Sequence, residues 1–177
     1  MKHLPSKIVY NTREEVLIMR AEPINKISKK GLRVWQIYGI FQTLIALLLG
    51  IGVWMINFFT GKYIWLYIVD VVIVLIVAYL LIYLFPKVRW TRWRYEVREQ
   101  EIELQHGLFV VKRTLVPMVR VQHVDTEQGP ILRKYDLASI TISTAATNHT
   151  IPALITVEAD ELRGRISVLA RVAEDDV

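Results

Sequence analysis

Two long stretches of the chain lack the alternation of polar and apolar positions that a water-facing surface needs. Val34 to Phe59, 26 residues, holds no charged side chain; Tyr63 to Phe85, 23 residues, holds one, Asp70. At 1.5 Å per residue each stretch predicts a helix of roughly 35–39 Å, enough to cross about 30 Å of hydrocarbon with some tilt. Only Thr60, Gly61 and Lys62 separate them, so the two helices must be antiparallel neighbours. Residues 92–177 are too few to wrap both helices on all sides, which argues against a buried pair in a soluble protein.

After the second stretch the period shortens to that of strands. Arg94 to Arg98 and Ile102 to His106 are separated by the polar turn Glu99–Gln100–Glu101, and Gly107 permits another tight turn. Leu108 to Val116 is rich in Val, Phe and Thr. Val119 to Asp125 alternates, with Val119, Val121, His123 and Asp125 on one side and Arg120, Gln122 and Val124 on the other. Gln128–Gly129–Pro130 breaks the run. Ser139 to Thr144 places Ile140 and Ile142 on one face, and Asn148–His149 reads as a turn before Ile151.

The tail returns to helical spacing: Leu162, Ile166, Leu169 and Ala173 share a face, with Val172 beside them. Thr156 is the expected N-cap, with Glu158, Asp160 and Glu161 in or near the first turn and Arg171 near the end, as the helix dipole favours. The expected fold class is an α+β membrane protein: a two-helix transmembrane hairpin, then a small split β-barrel of six or seven short strands capped by a C-terminal helix. The expected division is a cytosolic N-terminal segment with a juxtamembrane elbow over 1–33, the hairpin over 34–85 and the soluble domain over 90–177. Within the first segment, Ile8–Tyr10 and Val16–Met19 are short apolar runs, and Lys26 to Arg33 reads as an interfacial helix or elbow.

Composition strengthens the membrane reading. Hydrophobic residues make up 53% of the 177, and mean hydropathy is +0.33. Trp35, Tyr38, Tyr83, Phe85, Trp90 and Trp93 gather at one end of the spans. Trp54, Phe58, Phe59, Tyr63, Trp65 and Tyr67 gather around the turn, as in the aromatic belts of two interfaces. Eight Lys and Arg precede Val34, five fall between Lys87 and Arg98, and the turn has only Lys62. The positive-inside rule then places both termini in the cytoplasm of a multi-pass protein of the inner membrane. The first apolar stretch is too long, and starts too late, for a cleaved signal peptide.

The net charge of +5 is uneven. Residues 1–91 carry 11 basic and 4 acidic side chains, and residues 92–177 carry 11 basic and 13 acidic. The basic excess therefore lies beside the membrane, where it suits anionic headgroups, and the soluble part shows no basic stripe for nucleic acid. There is no cysteine, so no disulfide or thiolate metal site is possible. The histidines His3, His106, His123 and His149 have no ligand-like spacing, and no metal or cofactor is expected.

The motifs Arg94-Tyr95-Glu96-Val97, Ile102 to Gly107, Arg113-Thr114-Leu115-Val116-Pro117, Arg120-Val121-Gln122-His123-Val124-Asp125, Gln128-Gly129-Pro130 and Asp136-Leu137-Ala138 follow one another behind a hairpin. In order and spacing they resemble the bacterial PH-like membrane proteins of the YdbS type, over about residues 24–172. The resemblance implies a pleckstrin-homology-like split barrel, and association with a larger YdbT-type membrane protein that carries several such domains. It also hints at envelope homeostasis or resistance to membrane-active agents. Where the family pattern often has glycine before Leu-Ala, this chain has Asp136.

Candidate partner-binding residues are Arg120, Gln122, His123, Asp125 and Gln128. For His123 the residues favour a ring fixed by hydrogen bonds within the sheet over a pH-sensitive contact. Arg120 has Asp125 and Glu127 as possible ion-pair partners. Asp70 is the intramembrane polar candidate, expected level with about Gly52, where Gly50 and Gly52 permit close helix approach. The first barrel turn, Arg98-Glu99-Gln100-Glu101, carries two carboxylates that repel phosphate, against inositol-phosphate binding. No catalytic constellation is present. The expected function is a non-enzymatic membrane-anchored interaction subunit, whose partners are the bilayer, the larger relative and, as an open option, a second copy of the chain. The alternative is a transporter or channel accessory subunit using Asp70.

Overall fold

The structure, a computed structural model, describes residues 22–61 and 63–175. The apolar runs Ile8–Tyr10 and Val16–Met19 lie outside the described residues. Helix α1 (Lys29–Thr60) begins five residues before the expected span. Its N-cap is Ser28, whose hydroxyl accepts from Lys30 N–H at 3.3 Å. Among the described residues no separate elbow precedes it, and Lys29 to Arg33, expected as a juxtamembrane helix or elbow, is the first part of α1 itself. Instead β1 (Asn25–Lys26) pairs antiparallel with β2 (Arg94–Val97), so the segment just before the hairpin is a strand of the soluble domain.

The return helix is one rod with a changed interior: α2 (Trp65–Tyr79), a π segment (Leu80–Leu84) and α3 (Phe85–Arg92). It runs past the expected end at Phe85 despite Pro86. Phe85 N–H donates to Leu80 O, five residues back, and proline has no N–H to donate. Neither closes on the Leu81 carbonyl, which lies against Gly39 of α1. A Cβ at Gly39 would collide with that oxygen and stand 2.8 Å from Leu81 C. The hairpin turn is built by Asn57 and Gly61. Gly61 takes φ 61 and its N–H donates to Asn57 O, while Asn57 Nδ2 donates to Tyr63 O at 3.1 Å. Both rods are long and apolar enough to cross a membrane, and α2 has no buried residue. Among the described residues nothing covers most of their apolar surface, the condition of a lipid-facing helix.

The soluble domain starts at Arg94. Sheet one has the order β1-β2-β3-β4, with β3 (Glu101–His106) and β4 (Lys112–Pro117); sheet two has β5-β6-β7, with β5 (Val121–Glu127), β6 (Leu137–Thr144) and β7 (Asn148–Ile155). All pairs are antiparallel. Helix α5 (Thr156–Asp175) closes the domain, and Ile102, Leu104, Ile140, Ile142, Ile151, Leu154 and Ile166 form its core. Ile140 and Ile142 are both fully buried, as their alternation required. Leu162, Leu169 and Ala173 pack on this core from α5, whereas Val172 faces outward.

Several local expectations change. Leu108–Val111 is a bend rather than the start of a strand. Gly107, at φ 142, lets the chain fold back until Val110's carbonyl fills the space a Cβ would need. Asn148–His149 belongs to β7. The turn lies before it, where Thr144 Oγ1 accepts from Thr147 N–H at 3.1 Å and donates to Thr147 O at 2.7 Å. Gly129–Pro130 opens a short helix, α4 (Pro130–Lys134), with proline in its first turn. Thr156 is the first residue of α5 rather than its cap. The even alternation over 119–125 fails because Met118–Arg120 is a 3₁₀ turn and the register slips between Val121 and His123. A bulge inserts one residue and reverses the side-chain sense. Val121 and Val124 both reach the core, although the alternation set them on opposite faces.

The hairpin is fixed to the domain. Val34, Leu137 and Ala153 form a second buried cluster, and a Cβ on Gly31 would stand 2.6 Å from that of Ala153. Ser28 N–H donates to Ala153 O, and Trp90 Nε1 donates to Ser28 O at 3.2 Å.

Candidate functional site

Two places carry the side chains singled out from the sequence. The first is β5, a strand with sheet-two pairing on one side only. Gln122, His123 and Asp125 are exposed along it, and Arg120 is exposed just before it. Arg120 and Gln122 line a groove of about 450 Å³ with Val119, the 144–147 turn and His149. His123 and Asp125 are not among its walls. The expectation of a His123 ring held inside the sheet is not met. His123 is exposed and, among the described residues, makes no side-chain hydrogen bond. The bulge explains this, since it turns His123 outward beside an inward Val121. Among the described residues no ion pair joins Arg120 to Asp125 or Glu127. Gln128 is used internally: its Nε2 donates to Leu137 O at 2.9 Å and to Thr156 Oγ1 at 3.2 Å, tying β6 to the start of α5.

The second place is inside the hairpin. Asp70, half-buried, lines a groove of about 380 Å³ between the rods with Leu47, Gly50, Ile51, Trp54, Val71, Val74 and Leu75. It lies level with Gly50 rather than Gly52. A Cβ on Gly50 would be 3.4 and 3.5 Å from the two carboxylate oxygens, whereas one on Gly52 would meet nothing within 4 Å. Among the described residues the Asp70 carboxylate has no hydrogen-bond or ion-pair partner. Between the two rods the closest backbone approach of a glycine is at Gly39, which sequence reasoning passed over, because a π segment cannot be read from hydropathy.

The first barrel turn is electrostatically closed. Arg98 donates to Glu96 from Nε and Nη2, each at 3.0 Å, and to Glu101 at 3.1 Å, and it lies 3.4 Å from Glu103. Glu96, first of all, pushes its pKa above the ordinary arginine value. Glu103, buried in the sheet, is also met by Arg113 at 2.7 Å. A guanidinium shared among three carboxylates leaves little attraction for phosphate. On the opposite side, Tyr95 donates to Glu158 Oε1 at 2.8 Å, joining β2 to α5. Burial, then the Glu158 hydrogen bond and charge, push the phenol well above its ordinary pKa. Among the described residues no group of three His, Asp or Glu side chains is placed to hold a metal.

Comparison with known proteins agrees with this architecture. The family model "Bacterial PH domain" matches residues 37–170, which takes in most of the hairpin as well as the sheets. The chain is 50% identical, over 159 residues, to the UPF0699 transmembrane protein YdbS of Bacillus subtilis (strain 168). That match covers 90% of this chain and all of the relative. It is also 27% identical over 79 residues to the UPF0699 transmembrane protein YdbT of the same organism, covering 45% of this chain and 16% of that protein. No solved structure matches the chain. With a hairpin of two helices long and apolar enough to cross a membrane, and with half of its positions shared along the whole length of a transmembrane relative, the chain belongs to the bacterial PH domain family as a YdbS-type PH-like membrane protein.

Proposed function

We propose that the protein is a non-catalytic, membrane-anchored interaction subunit that assembles with a larger YdbT-type membrane protein at the inner membrane, with both termini in the cytoplasm. The observation that carries this reading is Asp70. A carboxylate among apolar side chains costs several kcal/mol within a bilayer unless a partner satisfies it. Here it sits in a groove that the described residues leave open, and a donor from a third helix would offset the cost. The exposed Arg120, Gln122, His123 and Asp125 beside the one-sided strand β5 supply the second contact, outside the membrane. Gln128 holds the same strand's end in place. The partial match to the larger relative supports a partner built from similar modules.

Purification in mild detergent from cells that also make the YdbT-type relative tests the assembly. Both proteins are expected together for the native chain, with loss on Asp70→Leu and on combined Arg120→Glu, His123→Ala. Recovery of the native chain without the relative, from membranes that contain it, refutes the assembly. Because the chain has no cysteine, single cysteines at Gly61 and Ala146 report the topology by labelling with an impermeant maleimide. Position 61 should react from outside, and position 146 only after lysis.

Asp70, without a partner among the described residues, also supports a second reading, an accessory subunit of a transporter or channel. In that case Asp70→Asn abolishes flux while the complex stays intact. Sensitivity of a deletion strain to membrane-active agents is the phenotype against which both readings are scored.

A further inference from the structure

A larger cavity than either candidate site lies where the hairpin meets the domain. It measures about 760 Å³, within the range of small-molecule sites. Its floor includes Phe41, Ile45 and Leu81, and its mouth includes Arg89, Trp93 and His106. No carboxylate is among its walls. Trp35 and Ile45, which bound it along α1, are ten residues apart, about 15 Å on a helix and about the hydrocarbon depth of one leaflet. The polar mouth therefore falls at headgroup level and the apolar floor at acyl-chain level.

The cationic end is built. Arg89 stacks on Trp35, its guanidinium carbon 4.5 Å from the ring centroid. It has no ion-pair partner among the described residues. Stacking fixes the guanidinium plane and leaves its N–H edge free, the edge that matches a phosphate. His106 stacks on Trp93, with ring centroids 5.9 Å apart and planes 20° from parallel. The adjoining bend has the exposed apolar side chains that suit a bilayer surface. Phe109 and Val110 are 81% and 79% exposed, Phe109 lies edge-on to Phe85 at 6.2 Å, and Arg92 holds the Leu108 carbonyl at 2.6 Å.

We propose that this cavity binds one anionic phospholipid from the leaflet facing the domain. Its phosphate lies against Arg89 and His106, one acyl chain runs down past Phe41 and Ile45, and the 108–111 bend dips into the same leaflet. The chemistry favours this occupant: the mouth offers the Arg89 cation and the His106 imidazole with no acid among the walls, and below them the surface is apolar apart from Tyr38 and Gln42. The Asp70 groove is a separate cavity, so the lipid site stands whether or not the proposed assembly does.

The full-length protein, stripped of lipid in mild detergent, is titrated with phosphatidylglycerol and separately with phosphatidylcholine, and bound lipid is counted by native mass spectrometry. One phosphatidylglycerol per chain is expected, bound at least tenfold more tightly than phosphatidylcholine. Arg89→Gln should lower the phosphatidylglycerol affinity about fivefold, the effect of one basic residue at a lipid surface. Arg171→Gln removes one exposed charge on α5, an element that contributes no wall to the cavity, and should leave the affinity unchanged. Ile45→Trp, which fills the floor, should lower retention of both lipids. Equal affinity for the two lipids overturns the proposal. So does an equal loss in Arg89→Gln and Arg171→Gln, or a dimer that retains no lipid. Helical circular dichroism on each variant separates a lost site from a lost fold.

Discussion

Replacing Gly39 with alanine drives a methyl group into the backbone of the opposite transmembrane rod. The new Cβ would meet the Leu81 carbonyl oxygen, stand 2.8 Å from Leu81 C and lie 3.1 Å from Ile82 Cα. None of these atoms belongs to a side chain that can swing away, so the rods must separate near the π segment. Overpacking of this kind costs about 1–3 kcal/mol. Alanine returns about 1 kcal/mol of helix propensity, which leaves a net loss of roughly 0–2 kcal/mol. Gly52→Ala is the matched control, because nothing lies within 4 Å of its added methyl; it should be neutral or slightly stabilising. Gly50→Ala falls between them, since its nearest neighbour is Val74 Cγ2 at 3.1 Å, a side-chain atom able to give. The measurement is reversible unfolding of the purified protein in mixed micelles with increasing dodecyl sulfate, followed by helical circular dichroism. If Gly52→Ala costs as much as Gly39→Ala, close backbone packing at the π segment does not hold the hairpin together.

Four further outcomes follow from the same contacts. Tyr95→Phe removes the bond to Glu158 and should lower stability by about 1 kcal/mol in denaturant titration. The native chain should lose stability as pH rises above the ordinary tyrosine value of 10.0. There the unfolded phenol releases its proton while the folded one keeps it, so the unfolded state binds fewer protons; a flat profile above pH 10 would contradict the buried bond. Arg113→Met leaves buried Glu103 with Arg98 alone at 3.4 Å, for an expected loss of about 1–3 kcal/mol in thermal unfolding. Asp136→Gly should stabilise the domain by about 0.5–1 kcal/mol in the same assay, because Asp136 sits at φ 54, where glycine is unstrained.

The last case shows how far a motif can be read. The motif resemblance leads to an expectation of glycine at position 136, and the structure keeps the left-handed backbone there with the bulkier Asp136. Asp is among the few side chains that tolerate that region, so the sequence difference changes strain rather than path. Asp70 was legible as a candidate because a single carboxylate in an apolar run is visible at once. The groove around it was not, since its depth depends on which face of each rod meets the other. His123 was misjudged because a β-bulge leaves no mark in the residue pattern and yet inverts which positions face the core.

The amino-acid order alone determined the hairpin, its antiparallel sense, the strand-rich domain and the closing helix. Each follows from a local quantity: the length of an apolar run, the length of a linker, or a period of 2 or 3.6 residues. Tertiary structure decided that the segment before the first span joins the sheet as β1, that the second rod continues through Pro86, and that the domain is bolted to the hairpin through Val34, Leu137 and Ala153. It also decided that Arg89 and His106, 17 positions apart in the chain, share one mouth above an apolar cavity. Those facts depend on contacts between residues far apart along the chain. Such contacts form only when whole elements pack, and no local pattern encodes the angle at which they do.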